Sequence, residues 1–123
     1  MKHTPEFEKI CEDSRKRVRE ISVEEAAKLA QSGQAILVDV REDHEWNEAH
    51  AAGAIHLGRG IIERDIHNVA KAKDQSLLLY CGGGYRSALA ADNLGKMGYT
   101  QVRSVAGGWK AWVASGLPTE RSR

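Results

Sequence analysis

The chain has 123 residues, of which 41% are hydrophobic and 28% are charged, ordinary values for one globular domain. A formal net charge of +1 predicts no general attraction to nucleic acid or to an anionic membrane. No apolar run approaches the roughly 20 residues that cross a bilayer, and the N-terminal segment lacks the apolar core of a signal peptide. Two cysteines are too few for a disulfide framework, so we expect a cytoplasmic protein with reduced thiols.

The strongly charged N-terminal segment predicts a helix that extends the domain. Phe7, Ile10 and Cys11 follow the i, i+3, i+4 spacing of an amphipathic helix. We therefore divide the chain into a helical extension over residues 1–19 and a domain over residues 20–123. Cys11 has no loop or helix end beside it, so we expect a packing role for this cysteine.

The rest of the chain alternates strands with helices. Two apolar runs, AILVDV at 35–40 and SLLLY at 76–80, predict central strands that are buried on both faces. Shorter apolar runs and glycine or serine at helix ends predict the other elements. Strands are expected at 19–21, 52–58 and 101–105, and helices at 22–33, 41–50, 60–72, 87–99 and 107–118. This alternation predicts an α/β fold with a small, mostly parallel sheet flanked by helices on both faces.

Cys81 is the strongest candidate for chemistry, because it directly follows a buried strand and precedes a helix. Ligands of open α/β sheets bind beyond the carboxyl ends of the strands. Gly82, Gly83 and Gly84 can take positive φ, so their N–H groups are expected to converge on the sulfur. Arg86 adds a positive charge at the start of the helix. Together these groups predict a stabilised thiolate, which is the nucleophilic form of cysteine.

Other polar residues near the same edge have weaker cases. Asp39 and Arg41 end the first central strand, and we expect a buried ion pair that holds neighbouring loops rather than a substrate contact. Arg59 follows the strand at 52–58 and is a candidate for the mouth of the site. Tyr85 lies within the loop and is expected to point to solvent and screen the entrance.

The histidines and tryptophans do not form a recognisable ligand site. The histidines at 44, 50, 56 and 67 lack the i, i+4 spacing of metal ligands on one helix, so no metal is expected, and no other cofactor is implied. The tryptophans at 46, 109 and 112 are expected to pack in the core or under a lid.

Four motifs, in this order and at this spacing, resemble the rhodanese family. They are VDVRE at 38–42, HAAGAIHL at 50–57, CGGGYRS at 81–87 and the turn Gly107–Gly108–Trp109. The resemblance runs from about Glu20 to Pro118 and implies a small parallel sheet flanked by helices. It also implies that Cys81 is the nucleophile and that the loop from Cys81 to Arg86 cradles the transferred sulfur.

The resemblance implies a sulfurtransferase that works in two steps. The Cys81 thiolate takes the outer sulfur of thiosulfate or a similar anionic donor, and cyanide or a thiol then accepts that sulfur from the persulfide. Because sulfite is a stable leaving group, no general acid is needed, which fits a loop without an adjacent histidine or carboxylate. The residues expected to bind the small-molecule substrates are Gly82, Gly83, Gly84, Tyr85, Arg86 and Arg59.

Two alternatives stay open at this point. The first is a persulfide carrier that passes its sulfur to a partner protein. The second is a phosphatase or arsenate reductase, since a related branch of the same fold carries cysteine, five residues and arginine around a phosphate. Here four residues separate Cys81 from Arg86, and the smaller loop suits a sulfur atom better than a phosphoryl group.

Overall fold

The computed structural model describes residues 3–121, and the chain alternates strands and helices through that range. The strands are β1 (Arg19–Ile21), β2 (Ile36–Asp39), β3 (His50–Ala51), β4 (Ile55–His56), β5 (Leu77–Tyr80), β6 (Val102–Val105) and β7 (Thr119–Glu120). The helices are α1 (Pro5–Arg15), α2 (Val23–Gln31), α3 (Asp43–Glu48), α4 (Ile62–Asp65), α5 (Tyr85–Lys96) and α6 (Gly108–Ala114), with a 3-10 helix at Ile66–Asn68.

The central sheet has five strands in the order β1-β6-β5-β2-β4, and every neighbouring pair is parallel. This confirms the predicted α/β fold. The strand β5 lies in the middle of the sheet, between β6 and β2. In the register of the sheet, Asp39 pairs with Tyr80 and Leu79 pairs with Ser104. The carboxyl ends of these three strands therefore meet at one edge, where Cys81 follows β5.

Helices cover both faces of the sheet, because successive side chains of a strand point to opposite faces. On one face Leu77 and Leu79 pack in a core cluster with Leu94 of α5. On the other face Leu78 and Tyr80 pack with residues of α2 and α6, among them Trp112. Since both faces are buried, the β5 segment has no polar position, which explains the unbroken apolar run in the sequence.

The N-terminal helix α1 packs on α5. Asp92 of α5 is only 6% exposed and accepts hydrogen bonds from Arg17 Nε at 2.9 Å, from Arg17 Nη2 at 2.7 Å and from Ser14 Oγ at 3.1 Å. Cys11, on the same helix, is fully buried. Burial raises the pKa of the Cys11 thiol, which disfavours its ionised form.

Two local predictions differ from the structure, and one strand pairing was not predicted. The expected strand at 52–58 is limited to β4, and the expected helix at 60–72 is the short α4 followed by a 3-10 helix. The antiparallel pair of β3 and β7 was not predicted at all. Each of these two strands has two residues, which is too short for an alternating pattern. Their pairing joins segments that are far apart in the chain, so local sequence carries no signal for it.

Candidate active site

Cys81 lies at the carboxyl edge of the sheet, immediately before the first turn of α5. Its side chain is buried, with a relative exposure of 1% for the residue. The Gly84 N–H donates to Cys81 Sγ at 3.1 Å, and Ser87 Oγ lies 3.5 Å from the same sulfur. Ser87 is in turn 2.7 Å from Ser104 Oγ of β6. The sulfur therefore has a polar partner on both the loop and the helix.

The glycines of the loop serve different purposes. Gly84 has φ of 99° and caps α5 in the left-handed conformation, which turns its N–H towards the sulfur. The expectation that Gly82 and Gly83 also use positive φ is wrong, since neither takes that conformation. A Cβ at Gly82 would lie 3.1 Å from Arg86 Nη2, so the missing side chain leaves room for the guanidinium.

The back of the loop is held by the N-terminus of α6. The Trp109 N–H donates to Cys81 O at 2.7 Å, and the Lys110 N–H donates to Gly82 O at 3.1 Å. The C=O and N–H of one trans peptide point in opposite directions. The N–H groups that follow these two carbonyls therefore point away from α6. Gly108 allows this contact, since a Cβ there would lie 2.3 Å from Cys81 O.

Arg86 is paired with Glu45 of α3, a residue that sequence reasoning did not single out. Arg86 Nη1 donates to Glu45 Oε2 at 2.7 Å, and Arg86 Nη2 donates to Oε1 at 3.1 Å. The Arg86 guanidinium lowers the pKa of Glu45 to about 2, assisted by the Glu42 N–H, which donates to Oε2 at 2.9 Å. The expectation of a loop without an adjacent carboxylate is therefore wrong. Glu45 offsets the positive charge that Arg86 was expected to offer to substrate.

Asp39 and Arg41 form a buried ion pair beneath the neighbouring loops. Arg41 Nη2 lies 2.8 Å from Asp39 Oδ2, and the exposure of both side chains is below 5%, at 4% and 0%. The same Nη2 donates to Ala49 O at 2.7 Å, and the guanidinium carbon lies 4.7 Å from the centre of the Trp109 ring. Through these contacts the pair joins the end of β2 to the segment after α3 and to the start of α6.

A cavity of about 560 Å³ opens above Cys81. Its walls come from three parts of the chain: the N-terminus of α1, the segment around α3 and the loop that begins at Cys81. The lining residues are His3, Thr4, Phe7, Glu42, His44, Glu45, Cys81, Gly83, Tyr85 and Arg86. The sequence offered a partial signal for α3, because it follows a strand that ends at the same edge. The sequence offered no signal that α1 would reach the site, because α1 precedes the first strand of the sheet and follows no strand end.

The other predicted site residues are placed as follows. Tyr85 is half-buried and packs against His3 and Phe7, so its ring does not simply face solvent. Gly82 and Gly84 belong to the loop but do not line the cavity, and neither does Arg59, whose side chain is exposed. Arg59 therefore does not contribute to the lining of the cavity.

Trp46 and Trp112 pack against neighbouring side chains and do not line the cavity. Trp112 is buried and its Nε1 donates to Pro118 O at 2.8 Å. Trp46 is half-buried and stacks on His50, with ring centres 3.5 Å apart, and on His56 at 4.9 Å. Among residues 3–121, no group of three or more His, Cys, Asp or Glu side chains is arranged to hold a metal ion.

Comparison with known proteins shows which family this chain belongs to. Residues 22–115 match the family of rhodanese-like domains. The chain belongs to this family. It is 36% identical over 103 residues to the thiosulfate sulfurtransferase GlpE of Vibrio cholerae serotype O1, which covers 83% of this chain and 94% of that protein. It is 30% identical over 96 residues to the GlpE of Coxiella burnetii, covering 78% of this chain and 88% of the relative.

Solved structures share the rhodanese fold over more of the chain. A Rhodopseudomonas palustris protein of unknown function, described as a "possible tyrosine phosphatase", superposes with a TM-score of 0.81. It covers 98% of both chains at 26% identity. The polysulfide-sulfur transferase homodimer of Wolinella succinogenes gives a TM-score of 0.80 at 23% identity, covers 94% of this chain and 87% of its own, and shares the fold alone.

The chain is thus a rhodanese-domain enzyme of the sulfurtransferase family, as the motif resemblance implied. The helix α1 lies outside the residues matched to the family. Within the described part of the chain, no helix is long and apolar enough to cross a membrane.

Proposed function

We propose that this rhodanese moves a sulfane sulfur from thiosulfate or a similar anionic donor to cyanide or a thiol. The observation that carries the proposal is the Cys81 sulfur itself. It is buried at the end of β5, accepts a hydrogen bond from the Gly84 N–H at 3.1 Å and lines the cavity. Its position suits a nucleophile that holds one extra atom in a protected space. The relatives named thiosulfate sulfurtransferase support the choice of donor.

In the first step the Cys81 thiolate attacks the outer sulfur of the donor. A new S–S bond forms between Cys81 and that sulfur, and the bond between the two donor sulfurs breaks. Sulfite leaves with the electron pair, and the enzyme holds a persulfide whose outer sulfur carries the negative charge. The Gly84 N–H, which donates to Sγ, stabilises the Cys81 thiolate before the attack and again when it is released, and the Ser87 hydroxyl lies 3.5 Å from the same sulfur.

In the second step the acceptor takes the outer sulfur. A cyanide carbon or a thiolate sulfur attacks that atom, the S–S bond to Cys81 breaks, and the electron pair returns to Cys81 as a thiolate. The products are thiocyanate or a new persulfide. No proton transfer is needed at either leaving group, so Glu45 is not required as an acid, and its low pKa keeps it ionised.

The phosphatase alternative has less support. Four residues separate Cys81 from Arg86, one fewer than in the phosphatase signature. Arg86, which a phosphatase would direct at phosphate oxygens, instead donates to both carboxylate oxygens of Glu45. The persulfide carrier differs from the enzyme only in its acceptor, and the experiment below separates the two.

The test is intact-mass spectrometry after incubation with thiosulfate, followed by addition of cyanide. We expect the wild type to gain the mass of one sulfur atom and to lose it on cyanide treatment. Cys81→Ser removes the nucleophile and is expected to show no gain. Cys11→Ala is the matched control, because Cys11 is buried in the α1–α5 contact and should leave the gain intact.

Three results would contradict the proposal in different ways. A sulfur gain that persists in Cys81→Ser would place the persulfide elsewhere. A gain that neither cyanide nor small thiols remove would favour the carrier. The absence of any gain, together with turnover of an aryl phosphate, would favour the phosphatase.

A further inference from the structure

The N-terminal helix α1 forms one wall of the cavity above Cys81. His3, Thr4 and Phe7 all line the space that the Cys81 sulfur faces. The ring of His3 lies 4.4 Å from that of Tyr85, and the ring of Phe7 lies 6.1 Å from it, measured between centres. These distances are typical of aromatic pairs that pack favourably. The rings of Phe7, Tyr85 and His3 therefore pack against one another and form an aromatic wall of the cavity that Cys81 also lines.

This wall is fixed to the catalytic loop at two further points. Arg15, on the last turn of α1, donates from Nη2 to Gly84 O at 3.2 Å. Its guanidinium carbon also lies 4.7 Å from the centre of the Tyr85 ring. With the Asp92 contacts to Ser14 and Arg17, α1 is held against both the loop and α5. The aromatic wall is therefore a built part of the site.

The arginine and the carboxylates that line the cavity carry no net positive charge. Among the described residues that line it, Arg86 is the one arginine or lysine, and it is paired with Glu45. Glu42 adds a second carboxylate to the lining. A volume of about 560 Å³ also falls in the range of roughly 300–1,000 Å³ that is usual for sites of organic ligands.

We propose that α1 makes this enzyme selective for sulfane-sulfur donors that carry an apolar organic group, with Phe7 as the specificity-determining residue. The inference rests on the proposed function and names its donor class. For a thiosulfonate, the Cys81 thiolate attacks the outer sulfur, the S–S bond of the donor breaks, and an organic sulfinate leaves with the electron pair. The organic group packs against Phe7 and Tyr85, while the sulfonyl end remains near the loop.

The test compares benzenethiosulfonate with methanethiosulfonate, because both release a sulfinate and differ in the ring. The readout is the ratio of their kcat/KM values, with cyanide as the acceptor. We expect a ratio above one in the wild type. In Phe7→Ala the ratio should fall about tenfold, the equivalent of about 1.4 kcal/mol. Phe7→Leu keeps apolar volume without the ring, so its ratio should lie between those of the wild type and Phe7→Ala.

Ile10→Ala is the matched control, since Ile10 is 53% exposed on the same helix and should keep the wild-type ratio. A wild-type ratio of one or less, or the same ratio in Phe7→Ala and wild type, would overturn the inference while leaving sulfur transfer in place. If no donor, including thiosulfate, adds a sulfur to Cys81, the proposed function fails and this inference fails with it.

Discussion

At the scale of single residues, Glu45 decides how much charge the cavity presents to a donor. Its two carboxylate oxygens accept from the two terminal nitrogens of Arg86, and Oε2 also accepts from the Glu42 N–H. The contact with the Glu42 N–H belongs to the capping box at the start of α3. One carboxylate thus links the helix start to the loop arginine, so a change at Glu45 acts on both.

Glu45→Gln is expected to lower the KM for thiosulfate by roughly fivefold. The substitution removes a negative charge beside an anionic donor and leaves Arg86 with an uncompensated positive charge. A partly exposed charge pair is worth up to about 1 kcal/mol, which corresponds to that factor. Steady-state kinetics check the change, with Glu48→Gln on the exposed side of α3 as the control. An unchanged KM in Glu45→Gln would mean that Arg86 does not contact the donor.

The same pair makes a prediction about pH. The pKa of Glu45 is lowered from 4.5 to about 2 in the folded protein, mainly by the hydrogen bond from Arg86, so the ionised form favours folding. Its stabilisation is complete above about pH 4.5 and is lost as the pH falls towards about 2. The difference in unfolding free energy between wild type and Glu45→Gln should therefore be constant near neutral pH and shrink below about pH 4.5. Urea titrations at several pH values measure it.

At Gly108, the addition of a single Cβ atom would disturb the structure around Cys81. Gly108 has φ of 52°, and a Cβ would lie 2.3 Å from Cys81 O and 3.0 Å from Cys81 C. Because both atoms belong to the backbone of the loop that begins at Cys81, Gly108→Ala must displace either α6 or the loop. We expect a loss of about 2–4 kcal/mol of unfolding free energy and a large loss of kcat.

Gly95→Ala provides the comparison for that prediction. Gly95 lies within α5, and a Cβ there meets nothing within 4 Å. Replacing a helical glycine by alanine usually stabilises by about 0.5–1 kcal/mol. Thermal unfolding of the two variants should therefore shift in opposite directions. Equal stability of Gly108→Ala and wild type would contradict the close approach of α6 to Cys81.

At the scale of elements, the contact of α1 with α5 depends on one buried carboxylate. Asp92 is 6% exposed and accepts hydrogen bonds from Ser14 and Arg17, and the Arg17 bond is the main cause of its lowered pKa. Buried carboxylates need such partners, because an unpaired charge in the interior is costly. The hydrogen bonds to the Asp92 carboxylate therefore hold α1 in its position against α5.

Asp92→Asn is expected to lower the unfolding free energy by about 2 kcal/mol, since it weakens the three charge-assisted hydrogen bonds from Ser14 and Arg17. Chemical denaturation measures the change. The control is Asp65→Asn, which removes the pair between neighbouring residues Arg64 and Asp65. Arg64 is 74% exposed, so this loss should stay within about 0.5 kcal/mol. Equal effects of the two variants would show that α1 is held by other contacts.

The sequence predicts a strand or helix well where all of its residues have the same kind of surroundings, such as burial on both faces. β2 and β5 are buried on both faces, so their apolar runs identify them without further information. Ser22 accepts from the Glu25 N–H at 3.1 Å and starts α2, as its local pattern predicts. The helix at 60–72 is only partly realised, because the spacing of Ile62 and Ile66 predicts a buried face and both are buried, but does not fix the type of helix.

At the scale of the whole molecule, the parallel sheet follows from the alternation of strands and helices, and it places Cys81 at the correct edge. What sequence reasoning missed are contacts between distant segments. The pairing of Arg86 with Glu45 and the position of Phe7 beside Tyr85 both depend on how elements pack. The local sequence pattern does not distinguish Arg86 and Glu45 from exposed charged residues. It also does not distinguish Phe7 from a residue on an ordinary amphipathic helix face.

The strand order has a consequence for when the loop around Cys81 forms during translation. β1 is the first strand to leave the ribosome, yet its neighbour in the sheet is β6, which is made near the end. β5 also pairs with β6, and α6 follows it to hold the Cys81 carbonyl. Parallel pairings of this kind form late, after long loops have closed. The nascent chain therefore carries Cys81 without its hydrogen-bond partners, and the loop that surrounds the sulfur in the structure forms only when the last third of the sequence has been synthesised.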